Sequence, residues 1–484
     1  MLGCIGAHSK RLAGVVGSEG TYHRGSMSNE SQPPSPSAAF HPEWAHHKQP
    51  KLRAVRGFPA QVGNQMALGL ADARQVSDKV VFTAPAAQMI LPLLDGTRSL
   101  EQIVGQVGRG LTSETLEQLV AQLDDAGLLF GPTFDAMLAK MRSDFDASDT
   151  LPPASTAAFA DQLAQQAMGD GFANATTEAK DELGAKRLRE VMDEWISTAL
   201  KDVQNPSFDA LPKAIVVPHL DYPRGWLNYA AVYGRMRVTE RPDRVVVLGT
   251  NHFGEATGIC GCNKSYETPL GTAPVDRALI AAVEKNLGAE APKLFANRYD
   301  HEREHSIELQ IPWIQHVFGK DDAGNYPAVF GVLIHDPSVN GGESYDGNGL
   351  AFEPFVQALR AAIESLPGKT LVVSSADLSH VGPAFGDTFG FAGPLAGDEP
   401  QVVEVRNRVF NHDRELLGLF VQGKSDELIA SMAWQQNPTR WCSLGNMVAA
   451  AALAGSSKVE VFNYAAAMDP QGTTLVSSCS AALL

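Results

Sequence analysis

Residues 244–252 read RVVVLGTNH, a run of β-branched and aliphatic side chains with no polar face, closed by a histidine. A strand apolar on both sides must be covered on both sides, which is the signature of a parallel sheet between helices. Three more runs share the texture, AIVV at 214–217, VFGVLI at 329–334 and TLVVSS at 370–375, and helical stretches separate them. This alternation specifies an α/β domain with a mostly parallel central sheet. In such sheets ligands collect beyond the carboxyl ends of the strands. Each run delivers chemistry there: His219 after AIVVP, His252 after RVVVLGTN, His335 after VFGVLI, and Asp377 with His380 after TLVVSSA. Imidazole suits iron, copper or zinc, and nearby carboxylates ligate or orient the imidazoles. Cys442, in TRWCSLGNMVAAAALAG, stands where a helix of small and apolar residues begins. A helix N-terminus favours thiolate, the ligating and nucleophilic form of cysteine.

The motifs PHLDYPRG (218–225), VVVLGTNH (245–252), YETPLG (266–271), EHSIELQIPWI (304–314), VVSSADLSHVG (372–382) and the terminal NYA with VSSCSAAL follow one another in a fixed order. Together they resemble the Memo family, also labelled AmmeMemoRadiSam system protein B, over residues 211–484. The resemblance implies a three-layer fold like the class III extradiol dioxygenases. It implies metal ligands at His219, His252 and Cys442, with Asp377 and His380 lining the same pocket. His380 is expected to move protons, Asp377 to fix its orientation, and His305 of the EHSIE motif to orient a ligand or substrate. A cysteine stands where the dioxygenases carry a carboxylate, and a thiolate changes charge donation to iron and is itself oxidisable. Leu220 and Asp221 replace the small pair of the family's usual PHAGY, and SLGNM replaces a Gly-rich continuation after Cys442.

The expected cofactor is iron(II), with copper second and zinc third. The expected function is that of a metal-dependent oxidoreductase working with a radical SAM enzyme and an AMMECR-type protein on a peptide or small molecule. Its alternative is a non-catalytic peptide-binding or metal-sensing protein.

HEREH at 301–305 satisfies the HExxH pattern of zinc proteases, whose two histidines sit one helical turn apart. The metzincin extension is absent, because Glu308 and Ile311 occupy the places of its Gly and third His. The protease is therefore a minor alternative, and His301 is expected to bind no metal. Cys260 and Cys262, alternate residues of one strand with no second pair, read as structural, and so does His335.

Residues 1–48 are rich in Ser, Pro, Gly and His without apolar periodicity, the composition of a disordered tail. Residues 49–145 read as a small winged-helix-like α+β domain. An apolar helix ends in LPLLDG, a capping box at Ser99–Gln102 opens a second, and Leu116, Leu119, Val120 and Leu123 mark a third before a terminal hairpin at LLF. LLDGTRSLEQIV (93–104) with LDDAGLL (123–129) resembles PqqD-like peptide-recognition domains, which implies a peptide partner. Residues 146–210 read as a helical linker with a solvated charged face, leaving 211–484 as the Memo-like domain.

The chain has 484 residues and a net charge of −16. Residues 1–56 carry 7 Lys and Arg against 3 Asp and Glu, so the remainder stands at −20. A body that acidic repels phosphate backbones, which excludes nucleic acid as the expected partner. No apolar run reaches the length of a membrane span, and five cysteines lack the spacing of a disulfide scaffold. A cytoplasmic, reduced protein without a membrane partner is expected.

Overall fold

The computed structural model describes residues 38–108, 110–389, 393–455 and 458–484. The expected tail lies outside these residues up to position 37. From residue 38 the chain has a defined place: Phe40 packs on the core of the next segment, and α1 (Ala45–Lys48) adds one helical turn. An antiparallel meander follows, β1 (Val55–Val62), β2 (Gln65–Asp72) and β3 (Val80–Thr83), with β2 in the centre.

The helices α2 (Leu100–Val107) and α3 (Ser113–Asp125) share its core. Ser99 opens α2 with the expected capping box, its N–H donating to Gln102 Oε1 at 2.8 Å while its hydroxyl accepts the Gln102 N–H. Such a cap contributes about 1 kcal/mol. Leu116, Leu119, Val120 and Leu123 are buried on one face of α3, as their spacing predicts.

The order within this α+β unit departs from the expected one, because its strands precede its helices. LPLLDG is no helix end. Pro85 and Pro92 remove amide donors there, and the chain makes two short 3-10 turns, Pro85–Met89 and Leu91–Leu93. LLF forms no hairpin either. Gly127, at φ 66°, turns the chain back so that the Leu128 N–H meets the Leu123 carbonyl, and Leu129 makes only an isolated bridge to Leu52.

After α4 (Pro132–Ala147), the stretch expected as a linker supplies β4 (Thr150–Leu151), α5 (Ser155–Met168) and α6 (Thr177–Leu200). One face of α6 is solvated, but Leu188, Met192 and Ile196 recur every four residues and are buried in the core of the following domain. The start of α5 is finished by a distant residue. Glu308 accepts the N–H groups of Ala154, Ser155 and Thr156 and the Thr156 hydroxyl, satisfying donors that a helix start leaves open.

The four apolar runs become β5 (Ala214–Val217), β6 (Arg244–Thr250), β10 (Ala328–Ile334) and β11 (Thr370–Ser375). They lie parallel in the order β5-β11-β6-β10. The margins are antiparallel: β7 (Cys260–Gly261) closes one side, while β14 (Leu475–Leu483) pairs with β5 on the other and carries β12 (Asp377–Val381) and β13 (Val459–Met468). A separate small sheet joins β4 to β8 (Ser265–Thr268) and β9 (Gly271–Ala273).

Strand residues alternate between two cores. Val246, Leu248, Ala214 and Val216 face α8 (Arg277–Leu287), α9 (Ala291–Leu294), α12 (Phe352–Ser365), α14 (Ser425–Gln435) and α15 (Leu444–Ala454). Val245, Val247, Ile215 and Val217 face α6, α7 (Tyr222–Tyr233) and α11 (Ile311–Phe318), where Tyr229 and Tyr233 stack on Trp313 at 5.6 Å. The result is a three-layer α/β domain. Each fully buried Val or Leu contributes about 1.5–3 kcal/mol, so the double-sided sheet dominates its stability. The remaining helices are α10 (His305–Glu308) and α13 (Pro400–Val421). Among the described residues no helix is long and apolar enough to cross a membrane.

Candidate metal centre

The carboxyl ends of β5, β6 and β11 converge, and two glycines let helices close over them. A Cβ on Gly249 would lie 2.6 Å from Ser306 Oγ. Without it, that hydroxyl caps β6, accepting the Thr250 N–H and donating to the Thr250 carbonyl at 3.0 Å each. The contact brings Glu304 and His305 beside His252. A Cβ on Gly445 would lie 2.3 Å from the His335 carbonyl oxygen, so glycine lets α15 approach β10 closely and delivers Cys442 to the same edge.

His219, His252 and His305 each offer a ligand atom there, all within 4.8 Å of one another. Their rings lie 4.8 to 5.6 Å apart. Two of the three are prepared as ligands by their second nitrogen. His219 Nδ1 donates to the Ser375 carbonyl at 3.1 Å, which leaves the Nε2 lone pair toward the site. His252 Nδ1 donates to Glu304 Oε1 at 3.0 Å, and the His252 backbone N–H reaches Glu304 Oε2 at 2.8 Å. This partner-on-Nδ1 arrangement orients metal-binding imidazoles and raises their basicity.

Electrostatics follow from the burial. Desolvation holds His219 well below the ordinary histidine range, with the neighbouring histidines adding to the effect. Burial alone would lower His252 too, but the Glu304 carboxylate and the Cys442 sulfur raise it well above its usual range. Glu304 is the counterpart: burial opposes its charge, yet attraction to His252 holds it well below an ordinary carboxylate. Burial lowers His305 to about 4.

Cys442 comes to the same place from the other side of the sheet. Its Sγ lies 3.4 Å from His219 Nε2 and 3.0 Å from Ser443 Oγ. The Cys442 carbonyl accepts from the Thr250 hydroxyl at 3.1 Å, and Asn446, one turn into α15, donates to that hydroxyl and to the Ser375 carbonyl.

Asp377 lines the pocket, but it does not orient His380. Its Oδ1 accepts the His219 backbone N–H at 3.2 Å and its Oδ2 lies 3.7 Å from His219 Nε2. Burial pushes its carboxyl up to about 7. His380 is held by backbone instead, its Nδ1 meeting the carbonyls of Leu378 at 2.9 Å and Arg440 at 3.2 Å. Successive residues of a strand point to opposite faces, so Asp377 and His380, three apart across an irregular register, do not face each other. Burial lowers His380 to about 4, leaving it neutral near pH 7.

The two histidines of HEREH fall on different elements. His301 closes a 3-10 turn, Arg298–His301, while His305 opens α10, so the single helical face of a zinc protease does not exist. His301 is buried with Nε2 at 3.1 Å from the Cys260 carbonyl. We expect His301→Ala to leave metal content unchanged by elemental analysis, and a stoichiometric loss would restore the protease reading. His335 is likewise committed to a loop, its Nε2 lying 3.1 Å from the Glu343 carbonyl. Cys260 and Cys262 are buried, and burial pushes Cys262 up to about 12.

A second His and carboxylate group, His46, His47 and Asp124, joins α1 to α3. His47 Nδ1 accepts the His41 backbone N–H at 3.0 Å, which puts the ring proton on Nε2, 3.2 Å from Asp124 Oδ2. A protonated Nε2 has no lone pair for a metal, so in this tautomer His47 offers the group no ligand atom.

Sequence reasoning assigns no individual role to Glu304, Asn446 or Ser375, although the first and last lie in the EHSIE and VVSSADLSHVG motifs. Glu304 had a local signal, an acid preceding the histidine that opens a helix. The other two act through carbonyl and hydroxyl contacts that the chain brings together only on folding.

A sequence model described as Memo-like protein matches residues 182–483. Its match starts inside α6. A MEMO1 family protein of Desulfurococcus amylolyticus is 30% identical over 169 residues, 35% of this chain and 53% of the relative. One from Thermotoga maritima is 31% identical over 173 residues, 35% of this chain and 54% of the relative. One from Thermococcus onnurineus is 25% identical over 288 residues, 59% of this chain and 90% of the relative. The chain thus spans about half the length of the first two.

Proposed function

The chain belongs to the Memo-like protein family, and from that premise we propose that it is a metal-dependent oxidoreductase whose centre is built on His219, His252 and Cys442. Iron(II) is the first choice of metal, after the dioxygenases whose fold this domain resembles, and copper the second, since two imidazoles and a thiolate also suit copper. The observation that carries this reading is the pair of imidazoles whose Nδ1 atoms are tied down by Ser375 and Glu304, beside a thiol 3.4 Å from His219 Nε2.

Bound there, the metal would supply one-electron and oxygen chemistry. The chain's own residues supply the rest. Glu304 and the Ser375 carbonyl fix the ring orientations, while His380, neutral with Nδ1–H on backbone, offers Nε2 to accept a proton. Asp377, near 7, offers a second proton site against His219. A peptide or small molecule is the proposed substrate class, and a radical SAM enzyme and an AMMECR-type protein are the proposed partners.

His305 is an alternative third ligand, since its donor atom belongs to the three-imidazole group. Anaerobic loading with Fe(II), followed by elemental analysis, separates the two. Cys442→Ser is expected to weaken iron binding by ten-fold or more, since serine supplies no anionic donor near neutral pH, while His305→Ala changes it less. Equal iron in wild type and Cys442→Ser would move the third ligand to His305. Oxygen uptake by the loaded wild type, tested with peptides and small thiols, then asks whether the centre turns over.

A further inference from the structure

A cleft opens where the N-terminal α+β unit meets the loop that follows β6. Arg74, Leu138 and Arg142 come from the first side, Phe253 and Arg303 from the second. It offers about 40 Å³ of space, room for one small group, and is partly open to solvent. Phe253 is the partition between this cleft and the candidate metal centre: its ring lies 5.9 Å from the rings of both His252 and His305.

Three guanidinium groups around one recess run against a net charge of −16. Their present partners are weak. Arg303 pairs with Asp78 at 3.1 Å where both are exposed, and Arg142 lies 5.2 Å over the Tyr299 ring. Exposed contacts of this kind hold a side chain only weakly, so either arginine turns to a better acceptor at little cost. Glu255 and Asp300 also line the cleft. Asp300 is engaged within its own loop, accepting from Asn251 Nδ2 and the Ala256 N–H at 2.8 Å each. The lining holds three arginines against two carboxylates, a net charge of +1, and a guanidinium matches a carboxylate with two parallel hydrogen bonds. Leu138, Met141 and Phe253 add an apolar lining, which favours an anion carried on an apolar body over a fully hydrated one.

We propose that this cleft seats the carboxylate of an apolar substrate through Arg74, Arg142 and Arg303, so that the N-terminal unit completes the substrate site of the metal centre. The assignment of a substrate rests on the function proposed above; the anion site itself does not.

Benzoate, with neutral benzamide as its isostere and inorganic phosphate as the hydrated anion, tests it by ligand-observed NMR on the metal-free full chain. Benzoate is expected to bind at least five-fold more tightly than benzamide or phosphate. The double variant Arg74→Gln, Arg142→Gln is expected to weaken benzoate at least five-fold and to leave benzamide unchanged. Both side chains are exposed, so an unchanged thermal midpoint is expected to show that the fold is intact. His219→Ala is expected to leave benzoate binding as it was. Undiminished benzoate binding in the double variant, its loss in His219→Ala instead, or tighter binding of phosphate would each overturn the proposal. Failure of the metal reading alone would show as absent iron uptake with the benzoate results intact.

Discussion

His219→Ala is expected to lower iron affinity by more than about 100-fold, measured by competition with a calibrated chelator under anaerobic conditions. Changes in residues that only orient a ligand typically cost 10- to 100-fold, and removing the ligand itself costs more. His219 is also the residue on which the site converges. Its Nε2 faces Cys442 Sγ and Asp377 Oδ2, and its Nδ1 rests on the same Ser375 carbonyl that Asn446 holds. Glu304→Gln is the graded comparison. It keeps the shape beside His252 but removes the charge, so a loss within the 10- to 100-fold range is expected there. Wild-type iron affinity in His219→Ala would remove the centre from this edge of the sheet altogether.

The largest expected loss of stability comes from Asp413, on α13. It is fully buried, and its carboxylate accepts four hydrogen bonds: Ser379 Oγ at 2.5 Å and Trp441 Nε1 at 2.7 Å on Oδ1, Tyr464 OH at 2.6 Å and Ser477 Oγ at 2.5 Å on Oδ2. Asp413→Ala leaves four donors to find new partners in a dry interior. Each orphaned donor costs about 1–3 kcal/mol, partly recovered by relaxation, so a net loss of about 4 kcal/mol is expected. At roughly 2 °C per kcal/mol for a domain of this size, the thermal midpoint should fall by roughly 8 °C. Two of the four donors adjoin the centre in sequence, since Ser379 precedes His380 and Trp441 precedes Cys442. A midpoint within about 2 °C of wild type would mean that the neighbours satisfy one another without the carboxylate.

The parallel core was legible because its four runs are apolar on both faces, and period-two alternation then assigned their residues to two cores without further information. The ends of those runs were legible for the same reason, and so the positions of His219, His252 and Asp377 at that edge of the sheet follow from the sequence. Local chemistry failed where a residue's partner is remote. Nothing near residue 413 marks it as an acceptor for groups at 379, 441, 464 and 477. Glu308 reads as part of a pocket motif, but its carboxylate serves the start of α5. In the N-terminal unit the apolarity of LPLL suggests a helix end, yet Pro92 within it and Pro85 before it decide its form, and strand pairing across residues 55–83 carries no strict alternation to announce it.

The place of β14, inserted between β12 and β5, has a kinetic consequence. Ala214 of β5 pairs with Leu483, so the two partners are separated by about 270 residues of chain. At about 5–20 residues per second, a ribosome needs on the order of 15–50 s to supply the second after the first. For that interval β5 keeps one edge without its native neighbour, an apolar template open to pairing with another chain. Closing so long a loop makes this the slowest kind of contact to form. A nascent chain is therefore exposed to aggregation and to holdase chaperones until β14 has been made.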